Sequence, residues 1–106
     1  MFSPQVVWHQ PGVNRFSGDR VGIESVVAML GGMMEVSEGS FRLVVTGPAM
    51  VNGEFVAVPV RFSGTRATGS MDMTGIDLLT IREGKIVEVH LFSEDGPAED
   101  AFWGQD

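Results

Sequence analysis

Cysteine is absent from the 106 residues. Disulfides, thiolate metal sites and cysteine nucleophiles are therefore excluded. Tyrosine is absent as well, which restricts the mechanisms considered below. Histidine occurs only at positions 9 and 90, too few for a His-rich metal site. No metal-ligand spacing, phosphate-binding loop or nucleophile elbow is present. No apolar run approaches the ~20 residues of a transmembrane helix, and Met1 to Val7 does not read as a signal peptide. A cytoplasmic chain that does not engage a membrane is expected. Bases are scarce, with 7 Lys and Arg against 14 Asp and Glu. DNA, RNA and anionic membranes all demand a basic face, so nucleic acid is not an expected partner.

What is present describes a globular chain: 43% hydrophobic and 20% charged residues. The length suits a single domain, residues 1–106. Folding should remove roughly 60–70% of the unfolded chain's surface from water, enough for one modest core with little to spare for a deep cavity. The net charge of −7 is unevenly placed. Residues 1–92 carry nine acids and seven bases, a nearly neutral body, whereas residues 93–106 carry Glu94, Asp95, Glu99, Asp100 and Asp106 with no base. That segment reads as a solvated acidic tail, with Phe102 and Trp103 supplying an aromatic that docks back onto the body.

Along the chain, Val6-Val7-Trp8-His9 reads as a short strand ended by Gln10-Pro11-Gly12. Apolar residues at 23, 26, 27, 30, 33 and 34 predict one helix over Gly22 to Met34, with a single buried stripe. Strands are predicted at Phe41 to Thr46, within Met50 to Ala67, at Met71 to Ile81 and at Ile86 to Phe92. Asn52-Gly53 and Arg82-Glu83-Gly84-Lys85 supply tight turns, and Pro59 marks an edge or a bulge because it cannot donate to a ladder. The predicted class is α+β: a helix on one face of a curved antiparallel sheet of four long strands plus a short one.

Two stretches carry a resemblance. The first is Val6-Val7-Trp8-His9-Gln10-Pro11-Gly12, followed by Phe16-Ser17-Gly18 and the helix. The second is Gly75-Ile76-Asp77-Leu78-Leu79, then Arg82-Glu83-Gly84-Lys85-Ile86-Val87-Glu88. Together they resemble the SnoaL-like polyketide cyclase branch of the nuclear transport factor 2-like, or ketosteroid isomerase-like, superfamily. Asp100-Ala101-Phe102-Trp103 is similar to a tail of some members. The resemblance implies a ketosteroid isomerase-like barrel: a cone of bent sheet around helices, with an apolar pocket open at one end. Members begin with one or two helices that close the cone, and this chain starts almost at its first strand.

By resemblance, the family's polar pocket position before the Pro of the first strand falls on His9. The one in the strand before the hairpin falls on Asp77, and a frequent carboxylate after the hairpin falls on Leu91. The isomerases' tyrosine has no counterpart. The Arg-x-Asp pair of the epoxide hydrolases is replaced by Val58-Pro59-Val60-Arg61-Phe62. The resemblance implies a cofactor-free cyclase or isomerase of a polyketide- or terpenoid-like substrate. The alternatives are a non-catalytic binder or chaperone of an apolar small molecule, or a structural homodimer with a vestigial pocket.

Read as residues, His9 is a candidate general acid/base or a strand-end histidine bonded to a loop. Asp77 lies among Ile76, Leu78 and Leu79, so its pKa should rise unless it is paired. Its alternative is an aspartate satisfied by Arg42, Arg61 or Arg66. Asp72, at an odd separation from Asp77, should face solvent, as should Glu88 and His90. Met29, Met33, Met34, Met71 and Met73 are read either as an adaptable apolar wall or as core filling. Met29, Met33 and Met73, with Val7, Phe16 and Phe41, and with Leu79, Val89 and Leu91 from the last two strands, make the expected substrate-binding set. A homodimer through the outer sheet face bearing His90 and Glu88 is expected, with no metal.

Overall fold

The computed structural model describes residues 1–105; Asp106, counted above in the acidic tail, lies outside the described residues. Period-two alternation dominates the chain, and most of it is accordingly strand. The elements are β1 (Phe2–Gln10), β2 (Gly18–Val21), α1 (Ile23–Val36), β3 (Arg42–Val45), β4 (Met50–Asn52), β5 (Phe55–Arg66), β6 (Gly69–Arg82), β7 (Lys85–Ser93) and α2 (Gly96–Trp103). The sheet runs β2-β1-β7-β6-β5-β3, with β4 also on β5. It curves without closing, and the α+β class expected from the sequence holds.

The sheet is larger than expected, and it is mixed rather than wholly antiparallel. Local hairpins account for β5, β6 and β7, and the β6–β7 turn uses positive φ at Glu83 and Gly84. β1, however, lies parallel to β7. A parallel neighbour needs a long crossover, and here the chain from β2 to β6 provides it, a pairing that no local signal announces. Pro59 falls in the gap on β5 between the β3 ladder, which ends at Val60, and the β4 ladder, which begins at Ala57. Its missing N–H therefore breaks nothing.

The helix is rotated from the predicted stripe. Val26, Met29 and Met33 are buried, whereas Val27 and Met34 are exposed. Both sets satisfy helical spacing, so periodicity alone does not choose between them. The choice follows from α1 lying against β1 and β2. Gly22 opens the helix at φ 91°, without a side-chain cap.

The tail is not a solvated segment. Residues 96–103 form α2, started by Asp95, whose side chain accepts from the Ala98 N–H, with a proline in the first turn. Trp103 is fully buried and Phe102 nearly so. Phe16 and Phe102 meet the Trp103 ring edge-on at 5.2 and 4.9 Å, a favoured aromatic geometry. Arg66 donates to the carbonyls of Phe102 and Trp103, satisfying groups that a helix end leaves orphaned. Asp100 accepts from the Val13 N–H and the Asn14 amide, tying α2 to the loop after β1. Gly12 has a φ of 89°, which favours glycine, and a Cβ there would sit 2.3 Å from Asp100 Oδ1 and displace that carboxylate. A second, smaller core of Val6, Val26 and Val89 fills the other end. Among the described residues, no helix is long and apolar enough to cross a membrane.

Candidate functional site

Strand parity decides which side chains meet. On β1, Val6 is buried and Trp8 and Gln10 turn to the same concave side, where they line a cleft. On β6 and β7, Asp77 and Leu91 are register partners and line that cleft too. Met33 of α1, Phe41 before β3, and Glu99 and Trp103 of α2 complete its walls. Leu30, Leu43 and Phe92, all substantially exposed, line it as well. Its volume is about 70 Å³, well below the ~300–1,000 Å³ that enclose a drug-sized ligand.

Asp77 is the chemically distinctive group. Its ladder neighbours are Val58 on β5 and Leu91 on β7. No hydrogen bond to its carboxyl exists among the described residues. Burial pushes that carboxyl from an ordinary 3.8 up to about 6, because desolvation disfavours the charged form. The arginines weighed as its partners do not supply one. Arg61 donates from Nε to Asp72 Oδ1 at 2.7 Å, both side chains being solvent-facing, and Arg66 is taken by the end of α2. Arg42 is exposed on the edge strand β3.

A second carboxyl reaches the cleft from α2. Glu99 is only 6% exposed, and it accepts from Ser93 Oγ at 2.5 Å and Trp103 Nε1 at 3.2 Å. Burial raises its pKa; these two hydrogen bonds oppose the rise, and Asp100 nearby adds to it. Leu91 stands where the family's carboxylate was expected, and Glu99 brings a carboxyl into the same cleft from another element. The sequence reading placed Glu99 in solvent. The signals that could have found it are the i, i+4 spacing of Glu99 and Trp103 and the Asp95-x-Pro97 helix start. Gln10 is also buried; its Oε1 accepts from Trp8 Nε1 at 2.9 Å, leaving its amide N–H groups free to donate.

His9 does not join Asp77. It has the opposite parity to Trp8 and Gln10, so it lies on the convex face, and Val7 shares that side. A one-residue difference exchanges the two faces of a strand completely, so the neighbours Trp8 and Gln10, rather than His9, line the cleft. The His9 ring sits between Asp19 on β2, with Oδ1 2.7 Å from Nδ1, and Glu88 on β7, with Oε2 2.6 Å from Nε2. The hydrogen bond to Glu88 holds the imidazole above its ordinary 6.5; burial opposes this and Asp19 reinforces it. His90 stacks on His9 at 4.2 Å.

The remaining expected pocket residues divide in two. Met33, Phe41 and Leu91 line the cleft with Asp77. Phe16, Met29 and Met73 belong to the core around Trp103, while Val89 belongs to the smaller core, against which Leu79 packs. Those five fill space rather than face the cleft, as does ordinary core. Trp8, Gln10, Phe62, Glu99 and Trp103 line it instead.

A family model described as a SnoaL-like domain matches residues 1–89. The chain is similar to a crystal structure of a protein of unknown function with a cystatin-like fold from Xanthomonas campestris. The two are 49% identical with a TM-score of 0.93, over 98% of this chain and 81% of the other. An uncharacterised protein of Mycobacterium tuberculosis is 28% identical, over 96% of this chain and 78% of its own length. TerC, crystallised with polyporic acid, shares the fold at a TM-score of 0.80 and 19% identity, over 95% of this chain and 79% of TerC.

Proposed function

Because this chain belongs to the SnoaL-like domain family, we propose that its cleft binds an apolar small molecule and that Asp77 moves a proton on it, as a cofactor-free cyclase or isomerase. The observation that carries this reading is the Asp77 carboxyl, unpaired in an apolar cleft and pushed up to about 6. A carboxyl with that pKa exists in both forms near neutrality, which suits a group that takes a proton and then returns it. As carboxylate, Asp77 removes a proton from carbon beside a substrate carbonyl; as carboxylic acid, it delivers that proton to another atom of the same molecule. The free amide of Gln10 is the donor suited to the developing enolate oxygen, in a chain without tyrosine. His9 takes no part, because it lies on the other face.

A substrate of the polyketide or terpenoid kind fits the aromatic and aliphatic walls, and TerC's crystallisation with polyporic acid supports an aromatic ligand. The small volume of the cleft restricts entry to one ring-sized end of such a molecule, with the remainder against Leu43 and Phe92. The test is deuterium exchange from D2O into a panel of enolisable aromatic ketones, by wild type and by Asp77→Asn. Loss of roughly 10²–10⁴-fold in exchange rate is expected, and undiminished exchange in the variant rejects the mechanism. A second reading, a non-catalytic binder, is favoured by Leu91 in place of a carboxylate beside Asp77. It predicts a bound ketone with no exchange by either protein.

The same reading includes a homodimer. Ile76 on β6 and Val44 on β3 are exposed on the convex face, of opposite parity to Asp77 and its ladder neighbour Val58, an apolar band on the β3–β6 side of the sheet that a second copy would cover.

A further inference from the structure

The two histidines, too few by count to suggest a metal site, are brought side by side by the parallel pairing of β1 and β7. His9 and His90 are register partners, and Glu88, two residues before His90, projects from the same face. Glu88 Oε2 lies 2.6 Å from His9 Nε2 and 3.8 Å from His90 Nε2. One ligand atom from each of the three residues lies within 4.8 Å of the others. In a tetrahedral zinc site with bonds of about 2.1 Å, ligand atoms are about 3.4 Å apart, so the two carboxylate–imidazole separations bracket the required spacing. All three side chains are partly exposed, which gives an ion an entry path.

Asp19 supplies an independent observation. Its Oδ1 is 2.7 Å from His9 Nδ1, on the far side of the ring from Glu88. A carboxylate on one imidazole nitrogen fixes the tautomer and presents the other nitrogen as ligand, the outer-shell arrangement of histidine–metal sites. The order Asp19–His9–Glu88 crosses three adjacent strands, β2, β1 and β7, so it is held by the ladder rather than by a loop.

We propose that His9 Nε2, Glu88 Oε2 and His90 Nε2 form a site for a divalent transition-metal ion of zinc's type on the convex face, oriented by Asp19 and separate from the cleft. Two imidazoles and one carboxylate leave coordination positions open to water. A metal lies in the plane of each ligating ring, so the stacked pair, now 13° from parallel, must open on binding. His90 is the ring that turns, because it makes no hydrogen bond of its own among the described residues.

The test is titration of EDTA-treated protein with Zn2+ by calorimetry, with Co2+ absorption reporting the ligand set. Expected are one equivalent per chain, a Co2+ spectrum with nitrogen ligation, and affinity at least tenfold weaker in both Glu88→Gln and His90→Ala. Asp19→Asn should weaken binding about 10–100-fold, while Asp72→Asn, an exposed acid elsewhere on the same face, leaves it unchanged. The three cluster variants remove exposed or half-exposed groups, and far-ultraviolet circular dichroism checks that each keeps its fold. No saturable binding by wild type overturns the proposal, as does binding of equal affinity in whichever of Glu88→Gln and His90→Ala is folded.

Discussion

Replacing Asp77 by asparagine should stabilise the protein above pH 6 and remove part of its pH dependence. Asparagine keeps the shape and lacks the charge. The rise of the carboxyl from 3.8 to about 6 corresponds to roughly 3 kcal/mol at ~1.4 kcal/mol per pH unit. The group is partly open to solvent at the cleft, so screening reduces the effective figure to about 1–2 kcal/mol. The sign follows from proton binding. Between pH 3.8 and about 6, folded Asp77 keeps a proton that the unfolded chain has released, so wild-type stability falls as pH rises through that window and is level beyond it. Asp77→Asn lacks this fall. At pH 7.5 the variant should lead by about 1–2 kcal/mol, or about 4–9 °C in Tm for a chain of this size, and at pH 3.5 the two should coincide. Urea unfolding at half-unit steps from pH 3.5 to 8 measures the difference curve. Glu99 and His9 also titrate with raised pKa values, but they are common to both proteins and cancel in the difference. A variant less stable than wild type at pH 7.5, or one with an unchanged slope between pH 4 and 6, would refute the account of Asp77 as an unpaired buried acid. Stability gained where activity is lost is the expected trade at a functional group.

Two further outcomes are expected. Trp103→Ala removes a fully buried ring and the donor to Glu99, and should cost about 3–5 kcal/mol with loss of near-ultraviolet circular dichroism; a change under 1 kcal/mol in urea unfolding would show that α2 is peripheral to the fold. Sedimentation at micromolar concentration should give a dimeric mass that shifts toward monomer in Ile76→Ser, an exposed position outside the cleft, and a monomeric wild type would reject the covered convex face.

The α+β class, both tight turns and most of β5, β6 and β7 are legible in the sequence, because alternation and turn residues act over a few positions. Trp103 as a docking aromatic is legible for a similar reason: a tryptophan in a charged segment needs somewhere to bury. β2 and α2 are not legible by that route. β2 is four residues whose pattern alone is ambiguous, and α2 is a short helix stabilised by packing rather than by its own propensity.

The candidate site divides along the same line. Asp77's apolar neighbours along the strand, and hence its raised pKa, follow from the order Ile76-Asp77-Leu78-Leu79. Its lack of a partner does not, since that depends on Arg61 turning to Asp72 and Arg66 turning to α2. The sequence by itself determined the period of each element, the turns between them and the absence of thiol and phenol chemistry. Only the tertiary structure decided which face each residue occupies. The parallel pairing of β1 with β7 set Gln10 rather than His9 beside the cleft and brought His9 against His90 and Glu88, and the packing of α2 turned Glu99 inward. The physical reason is that a strand's two faces differ by one residue, while the neighbour that defines them is supplied by chain some eighty positions away.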